Sequence, residues 1–385
     1  MYPTFSYGGG SYVAWELGKY LKRAGNDVCI ISTDAGDGGR TPSGKFEEEG
    51  MTVYRVKNLS NSLAYQFKLF VPLIGASAIK AEVRRADIVH LHDFRTLPDL
   101  MVGKIAMDEG KPVVVQPHGT IRGDYLGRRE LKGLIDHTVG NVIARGVRAW
   151  IALSKGERDH LIAFGIPEDR VRVIPNGIDL DRFAGRRDKG AARRELGIDP
   201  RKKVLLYLGR AHPFKGVDLL IDSVHELSES EKELMAVIAG PDDGALPQLK
   251  EQVRRLALSD RVIFKGEVTE AEKMNLFSAS DAFVLPSKME AFPISILEAC
   301  SAGLPVITTR NSDIAAEIDG VCGMVVQRTK GDFVQAISRF IREEGLAGRL
   351  ASATKGCSLK YSWEKIAEEY IGLYESIKGE EDAAH

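Results

Sequence analysis

Two spacings of apolar residues alternate along this chain. Short β-rich runs, Val28 to Ser32, Thr52 to Val56, Ile88 to Leu91, Pro112 to Gln116 and Ala149 to Ala152, are separated by stretches with helical periodicity. That rhythm predicts a parallel sheet with helical crossovers. Near the start, Tyr12, Ala14, Trp15, Leu17 and Leu21 repeat at helical spacing, and Gly25 stands where a C-terminal cap belongs. A second series opens after Pro175-Asn176-Gly177, with strands at Val204 to Leu208, Met235 to Ala239, Val262 to Phe264, Ala282 to Leu285, Pro305 to Thr308 and Gly323 to Val326. Between its first two strands, Val217, Leu220, Ile221, Val224 and Leu227 mark one face of a helix. The predicted fold class is α/β, with two tandem Rossmann-like doubly wound parallel-sheet domains facing a cleft. Residues 1–176 form the first domain and 177–360 the second, with the hinge in the turn and the charged stretch Asp179 to Arg194. Residues 361–385 are predicted as a C-terminal helix returning to the first domain, ending in a polar tail, Gly379 to His385.

Composition narrows the class. A chain of 385 residues suits two domains, since single cores stop growing near 250 to 300 residues. Its 53 basic and 54 acidic residues give a net charge of -1, so no global field favours nucleic acid, and any anion site must be local. Cys29, Cys300, Cys322 and Cys357 are scattered without a CxxC pair and read as small buried hydrophobes in a reducing compartment. The longest mostly apolar run, Leu69 to Ile79, is about half of what a spanning helix needs. The expected location is the cytoplasm, with contact at the inner face of the membrane as a further option. Two segments bear on that option. Tyr65 to Ile79, with Phe67, Leu69, Phe70, Val71, Leu73 and Ile74, reads either as membrane-leaning or as a crossover helix interrupted by Pro72. Arg122, Arg128, Arg129 and Lys132 read either as a grip on an anionic or lipid-phosphate acceptor or as a solvated helix face.

The candidate chemistry falls at strand ends, where open α/β sheets bind ligands. Gly8-Gly9-Gly10 precedes the first helix and lets a phosphate or sugar approach its N-terminus, although a plain turn explains it equally well. His118 follows the strand Val113 to Val115, beside Gly119. Arg210 ends the first strand of the second domain and Lys215 opens the next helix, a pairing of fixed guanidinium and mobile ammonium that suits a diphosphate. The most specific run is Glu290-Ala291-Phe292-Pro293-Ile294-Ser295-Ile296-Leu297-Glu298. With Pro293 in the first helical turn, the backbone N–H groups of Ile294, Ser295 and Ile296 are expected to point outward as an anion cradle. Carboxylates at Glu290 and Glu298 beside a phosphate site make sense as acceptors for sugar hydroxyls. Asp179-Leu180-Asp181 spells a DxD, but in the hinge, so no metal is expected.

Taken together, these motifs, with Val173-Ile174-Pro175-Asn176-Gly177-Ile178-Asp179, resemble the retaining glycosyltransferases of family four, which have the GT-B architecture. The resemblance runs over nearly the whole chain. It implies transfer of a hexose-type sugar from a nucleotide-diphosphate donor to a glycan or lipid-linked acceptor, with no cofactor and no nucleic-acid partner. By the same resemblance, Gly9 and Gly10 touch the donor and His118 the sugar near the reaction centre. Arg210 and Lys215 hold the diphosphate, Glu290 the donor sugar and Glu298 the ribose. Phe292, Pro293, Ile294 and Ser295 belong to the donor loop, and Val268, after Gly266-Glu267, marks where backbone meets the base. Departures are visible too. Met1-Tyr2-Pro3 begins almost at the glycine turn, so the family's first strand is expected to be missing and about ten residues to lie upstream. Ala291 and Pro293 stand where the family commonly has glycines, and Asn311-Ser312-Asp313 where small glycines often precede Glu317. A nucleotide-sugar epimerase of the same architecture and a non-catalytic nucleotide-sugar-binding subunit are the alternatives.

Overall fold

Strands that read as unbroken apolar runs become parallel strands covered on both faces, and the others depart from that plan. The computed structural model of the chain describes residues 9–36, 39–67, 69–73, 76–121, 146–185 and 188–383. The expectation about a missing first strand, and the basic residues Arg122, Arg128, Arg129 and Lys132, fall outside the described residues. The chain divides into two units, Met1–Gly177 together with Trp363–His385, and Ile178–Ser362.

In the first unit, helix α1 (Gly9–Arg23) buries Tyr12, Val13, Trp15, Leu17 and Tyr20 and ends in Lys22 and Arg23, cations that suit a helix C-terminus. Strands β1 (Cys29–Thr33), β2 (Gly44–Glu48) and β3 (Met51–Val56) form a three-stranded sheet in the order β1-β3-β2. Strands β4 (Val89–His92), β5 (Val113–Gln116), β6 (Ala149–Ala152) and β7 (Val171–Val173) form a second sheet, parallel throughout and in chain order. The single parallel sheet expected for this domain is therefore divided, with β1 and β4 each at an edge. β2 is also antiparallel to β3, because Glu49 and Gly50 both take positive φ (54° and 75°) and close a two-residue hairpin. Trp150 of β6 is fully buried and meets the Phe94 ring edge-on at 5.3 Å. Helices α2 (Leu97–Asp108) and α3 (Lys155–Ala163) follow β4 and β6 and are N-capped by Thr96 and Ser154. The C-terminal helix, Trp363–Asp382, groups with this unit: Trp363 stacks on Tyr20 of α1, and the Tyr370 hydroxyl donates to Gln116 Oε1 at the end of β5 (2.9 Å).

The second unit is one six-stranded parallel sheet. Strands β8 (Lys203–Leu208), β9 (Leu234–Ala239), β10 (Val262–Gly266), β11 (Ala282–Leu285), β12 (Val306–Thr309) and β13 (Gly323–Val326) run in the order β10-β9-β8-β11-β12-β13. Every residue of β9 and β11 is buried. At about 1.5 to 3 kcal/mol for each large aliphatic buried, such strands have no competing solvent-facing arrangement. Helices α4 (Val217–Glu226), α5 (Glu270–Ala279), α6 (Ile294–Ser301) and α7 (Leu346–Leu359) lie in the same unit. The strand order reverses between β8 and β11, which makes their carboxyl ends the switch point where such sheets bind ligands. The cysteines do not behave as four separate buried hydrophobes. Cys29 is exposed, Cys322 and Cys357 form a disulfide, and Cys300 Sγ lies 3.9 Å from Cys322 Sγ.

Candidate functional site

At the switch point of the second unit, the loop after β8 carries Gly209 and Arg210, and the turn before α4 carries Lys215. Gly216 takes φ 70°, and a Cβ there would lie 2.2 Å from the Pro286 carbonyl oxygen, so only glycine lets this turn close on the end of β11. Lys215 Nζ reaches Glu290 Oε1 at 2.6 Å. Arg210 pairs with Asp243, an acid that sequence reasoning missed. The Glu290 loop is fixed by main-chain bonds on both sides, from its own N–H to the Asn311 carbonyl (3.1 Å) and from the Asp313 N–H to its carbonyl (3.1 Å). The Asn311-Ser312-Asp313 segment thus acts as a backbone splint for Glu290.

Helix α6 begins one residue later than expected. Pro293 is its N-cap, without a side-chain capping bond, and the Ile296 N–H turns back onto the Pro293 carbonyl (3.1 Å). The cradle is therefore opened by Ile294 and Ser295, and Ile296 leaves it, because a tight first turn uses its N–H internally. Phe292 is buried edge-on against Tyr361 (5.3 Å), which anchors the loop. One turn along α6, Glu298 is only 7% exposed and its Oε1 accepts from Lys273 Nζ at 2.6 Å. Burial alone would lower the Lys273 pKa, but Glu298 and Glu270 outweigh it and raise the pKa. Lys273 lies on α5, and α5 starts directly after Val268, at a capping box made by Thr269 and Glu272. The expected base loop and the expected ribose carboxylate are thus joined through one lysine that no motif announced.

In the first unit, His118 sits two residues past β5 with φ 51°, an uncommon conformation for a residue with a side chain. The surrounding bonds impose it. The buried Glu157 of α3 accepts from Gly119 N (2.5 Å) and Leu153 N (2.7 Å), Thr120 Oγ1 donates to Asp93 Oδ1 (3.1 Å), and Arg95 donates to the Thr120 carbonyl. Gly10 of α1 faces the His118 ring closely enough that a Cβ would stand 3.2 Å from it, and Gly9 is exposed at the start of the same helix. His118 Nε2 is 3.0 Å from His92 Nδ1, and the His90 ring lies 4.2 Å from that of His92. Desolvation lowers all three imidazoles: His118 to about 4, His90 to about 3 with His118 as a second cause, and His92 well below its ordinary value. Nearby, burial and then the charge of Asp93 push the Asp99 carboxyl up to about 8. Asp179 of the DxD accepts from the Asp181 N–H (3.1 Å), a local turn bond. Among the described residues, no helix is long and apolar enough to cross a membrane.

The structure therefore brings Lys215 to Glu290, places Ile294 and Ser295 at the opening of α6, and sets Gly10 against His118. Asp243, Lys273, Glu157 and His92 complete the two sites, and none of them lies in a recognisable motif. Residues 188–356 match the family described as Glycosyl transferases group 1, and residues 7–182 match Glycosyltransferase Family 4. Among similar proteins, a D-inositol 3-phosphate glycosyltransferase of Frankia alni is 30% identical over 305 residues, covering 76% of this chain and 70% of its own. An uncharacterised glycosyltransferase of Methanocaldococcus jannaschii is 26% identical over 97% of this chain and 95% of its own. Anabaena HepE, solved with UDP and glucose, superposes with a TM-score of 0.78 at 21% identity over 96% of each chain. Starch synthase IV of Arabidopsis thaliana, solved with ADP and acarbose, gives 0.74 at 18% identity over 98% of each chain. With the strand order, the switch-point residues and these matches agreeing, the chain belongs to the family 4, group 1 glycosyltransferases and has their GT-B fold.

Proposed function

We propose that the protein is a retaining, metal-independent hexosyltransferase that uses a nucleotide-diphosphate sugar, with a glycan or lipid-linked acceptor. The reading is carried by the carboxyl ends of β8 and β11, where two cations, Arg210 and Lys215, accompany the opening turn of α6 and the carboxylates Glu290 and Glu298. Diphosphate oxygens would take the cations from Asp243 and Glu290, and the N–H groups of Ile294 and Ser295 would add donors of fixed direction. Released from Lys215, Glu290 accepts donor sugar hydroxyls, and Glu298 accepts those of the ribose. Val268 places its backbone beside the base, and Phe292 and Pro293 shape the loop between.

As the bond between the anomeric carbon and the β-phosphate oxygen breaks, its electron pair stays on the phosphate. Stabilising that charge is the main catalytic task, and Arg210 and Lys215 meet it without a divalent ion. The acceptor hydroxyl oxygen forms the new bond on the face the phosphate leaves and gives its proton to the departing phosphate oxygen. His118, with Gly9 and Gly10 alongside, serves the sugar near the reaction centre as a neutral hydrogen-bonding group. The test is incubation with radiolabelled UDP-, GDP- and ADP-hexoses over a panel of sugar and lipid-linked acceptors, with and without excess EDTA. Transfer with retained anomeric configuration, unchanged by the chelator, is expected. An inverted product would overturn the stereochemical reading, and activity abolished by EDTA and restored by Mg²⁺ or Mn²⁺ would return Asp179 and Asp181 to the centre of the problem.

A further inference from the structure

Three imidazoles stand along β4 and just past β5, and the proposed role of His118 accounts for one of them. His92 is the last residue of β4 and pairs in register with Gln116, so its side chain is carried on a regular strand. His118, by contrast, lies in a turn with positive φ. The two rings are nearly parallel (18°), with His92 Nδ1 3.0 Å from His118 Nε2. A neutral imidazole has one N–H and one lone-pair nitrogen, so this contact holds a single proton and needs one donor and one acceptor. Either sense of that bond fixes what the other nitrogen of His118 can do. If His92 donates, the His118 proton sits on Nδ1, and if His92 accepts, Nδ1 is a lone pair.

We propose that His92 is a positioning residue for transfer: its bond to Nε2 sets the ring rotation and tautomer of His118, and so the sense in which His118 meets the donor sugar. The inference rests on the reading of His118 given above and adds a residue from a different strand to it. The support around His92 is layered. The His90 ring packs on it at 4.2 Å, and His90 Nδ1 is 2.8 Å from the Tyr374 hydroxyl of the C-terminal helix. Asp93, the next residue, accepts from Phe94 N (2.7 Å) and from Thr120 Oγ1 (3.1 Å), tying the end of β4 to the His118 turn. The Asp93 N–H donates to the Gln116 carbonyl (3.0 Å), closing the same junction from the main chain. A bond held this rigidly at one end constrains the ring at the other.

Two readouts test it on the full chain. The first needs no substrate: ¹⁵N–¹H spectra of the imidazoles should show His118 in one tautomer, and His92→Phe, which keeps a stacked ring and removes the nitrogen, should give a mixture of tautomers. The second uses the donor found active among UDP-, GDP- and ADP-hexoses. His92→Phe should lower kcat ten- to a hundredfold while KM for the donor and the melting temperature stay near wild type. His92→Asn, whose amide can reach the place of Nδ1, should recover much of kcat. An unchanged His118 tautomer in His92→Phe, or wild-type kcat in that variant, overturns the inference while the proposed function stands. Wild-type transfer by His118→Ala removes the reading beneath it, and the inference falls with it.

Discussion

The two units solve opposite electrostatic problems with opposite materials. Around His118, in the first unit, desolvation keeps the imidazoles uncharged, and the turn that carries His118 is held by the Gly119 N–H donating to Glu157, the Thr120 hydroxyl donating to Asp93 and Arg95 donating to the Thr120 carbonyl. Around α6, in the second unit, the groups are charged and already matched: Lys215 with Glu290, Arg210 with Asp243, and Lys273 with Glu298. The imidazoles of the first unit gain their selectivity from direction, since the rings themselves carry no charge to attract an anion. On the proposed reading, the matched ionic site gains its affinity by exchange, Arg210 and Lys215 each trading one carboxylate for a phosphate oxygen. Losing a cation and losing its acidic partner should therefore have very different consequences, and losing an imidazole should touch turnover rather than binding.

The strongest way to break the comparison is at Arg210. Arg210→Ala should lower turnover on the order of a hundredfold or more, the usual loss for one preorganised charge donor. Asp243→Asn should change it less than about tenfold, because the guanidinium remains and only its resting partner is gone. His118→Ala is the matching experiment in the first unit, and it should lower turnover while leaving nucleotide affinity near wild type. Initial rates and calorimetric titration with the nucleotide diphosphate measure all three. Equal losses from Arg210→Ala and Asp243→Asn would mean that the pair acts as a structural unit. Collapse of nucleotide affinity in His118→Ala would move His118 from the sugar to the nucleotide.

A smaller effect separates the members of the Lys273–Glu298 pair, whose carboxylate is proposed to hold the ribose. Glu298→Gln should weaken nucleotide binding about tenfold, the equivalent of about 1.4 kcal/mol, because it removes a charge-assisted acceptor. Lys273→Met should weaken it as well, and should also lower the melting temperature, because it strands a carboxylate that is almost fully buried. Unchanged nucleotide affinity in Glu298→Gln, read by calorimetry, would end its assignment to the ribose.

How much of this was legible along the chain follows from how local each signal is. β9 and β11 could be read directly, because every one of their residues is buried and the run is apolar throughout. β2 left no such trace: Gly44–Glu48 alternates between half-exposed and exposed positions, and its hairpin depends on Glu49 taking a positive φ. In the site, Arg210, Lys215, Glu290 and Glu298 stood out because each belongs to a strand-end motif. Their partners did not, since Asp243 lies 33 residues from Arg210 and Lys273 lies 25 from Glu298, and only the folded sheet brings them together. His92 is a similar case, 26 residues from His118. The meeting of Cys300, Cys322 and Cys357 was equally invisible, because it joins α6, the start of β13 and α7 across distances that spacing rules do not cover.

The smallest expected effect concerns stability, and it distinguishes the units by pH. His118 and His90 titrate at about 4 and about 3 in the folded chain, against about 6.5 for a free imidazole. Between those limits the unfolded chain binds more protons, so their contribution is complete above about pH 6.5 and is lost as the pH falls through the folded values. Asp99 runs the other way. Its folded pKa of about 8 lies above the ordinary carboxyl value, so its contribution is complete below about pH 4 and is lost as the pH rises to 8. On acidification from 6.5 the histidine loss, at most about 1.4 kcal/mol per pH unit for each fully shifted group, is opposed by Asp99 and by Asp93 and Glu369, whose carboxyls burial also raises. His118, His90 and His92 are all shifted down, against the raised carboxyls Asp99, Asp93 and Glu369; the expectation is that the imidazoles prevail and the net slope favours unfolding of the first unit in acid. Trp15, Trp150 and Trp363 all lie in that unit, so tryptophan fluorescence follows it alone while circular dichroism follows the whole chain. Melts between pH 6.5 and 4.5 should show the fluorescence transition moving to lower temperature, and His90→Phe should flatten that dependence by about one histidine's share, whatever it does to the absolute midpoint. A fluorescence midpoint that stays level with pH in the wild-type chain would mean that the imidazoles are not held neutral, and the contrast between a neutral first site and an ionic second one would fail at its neutral end.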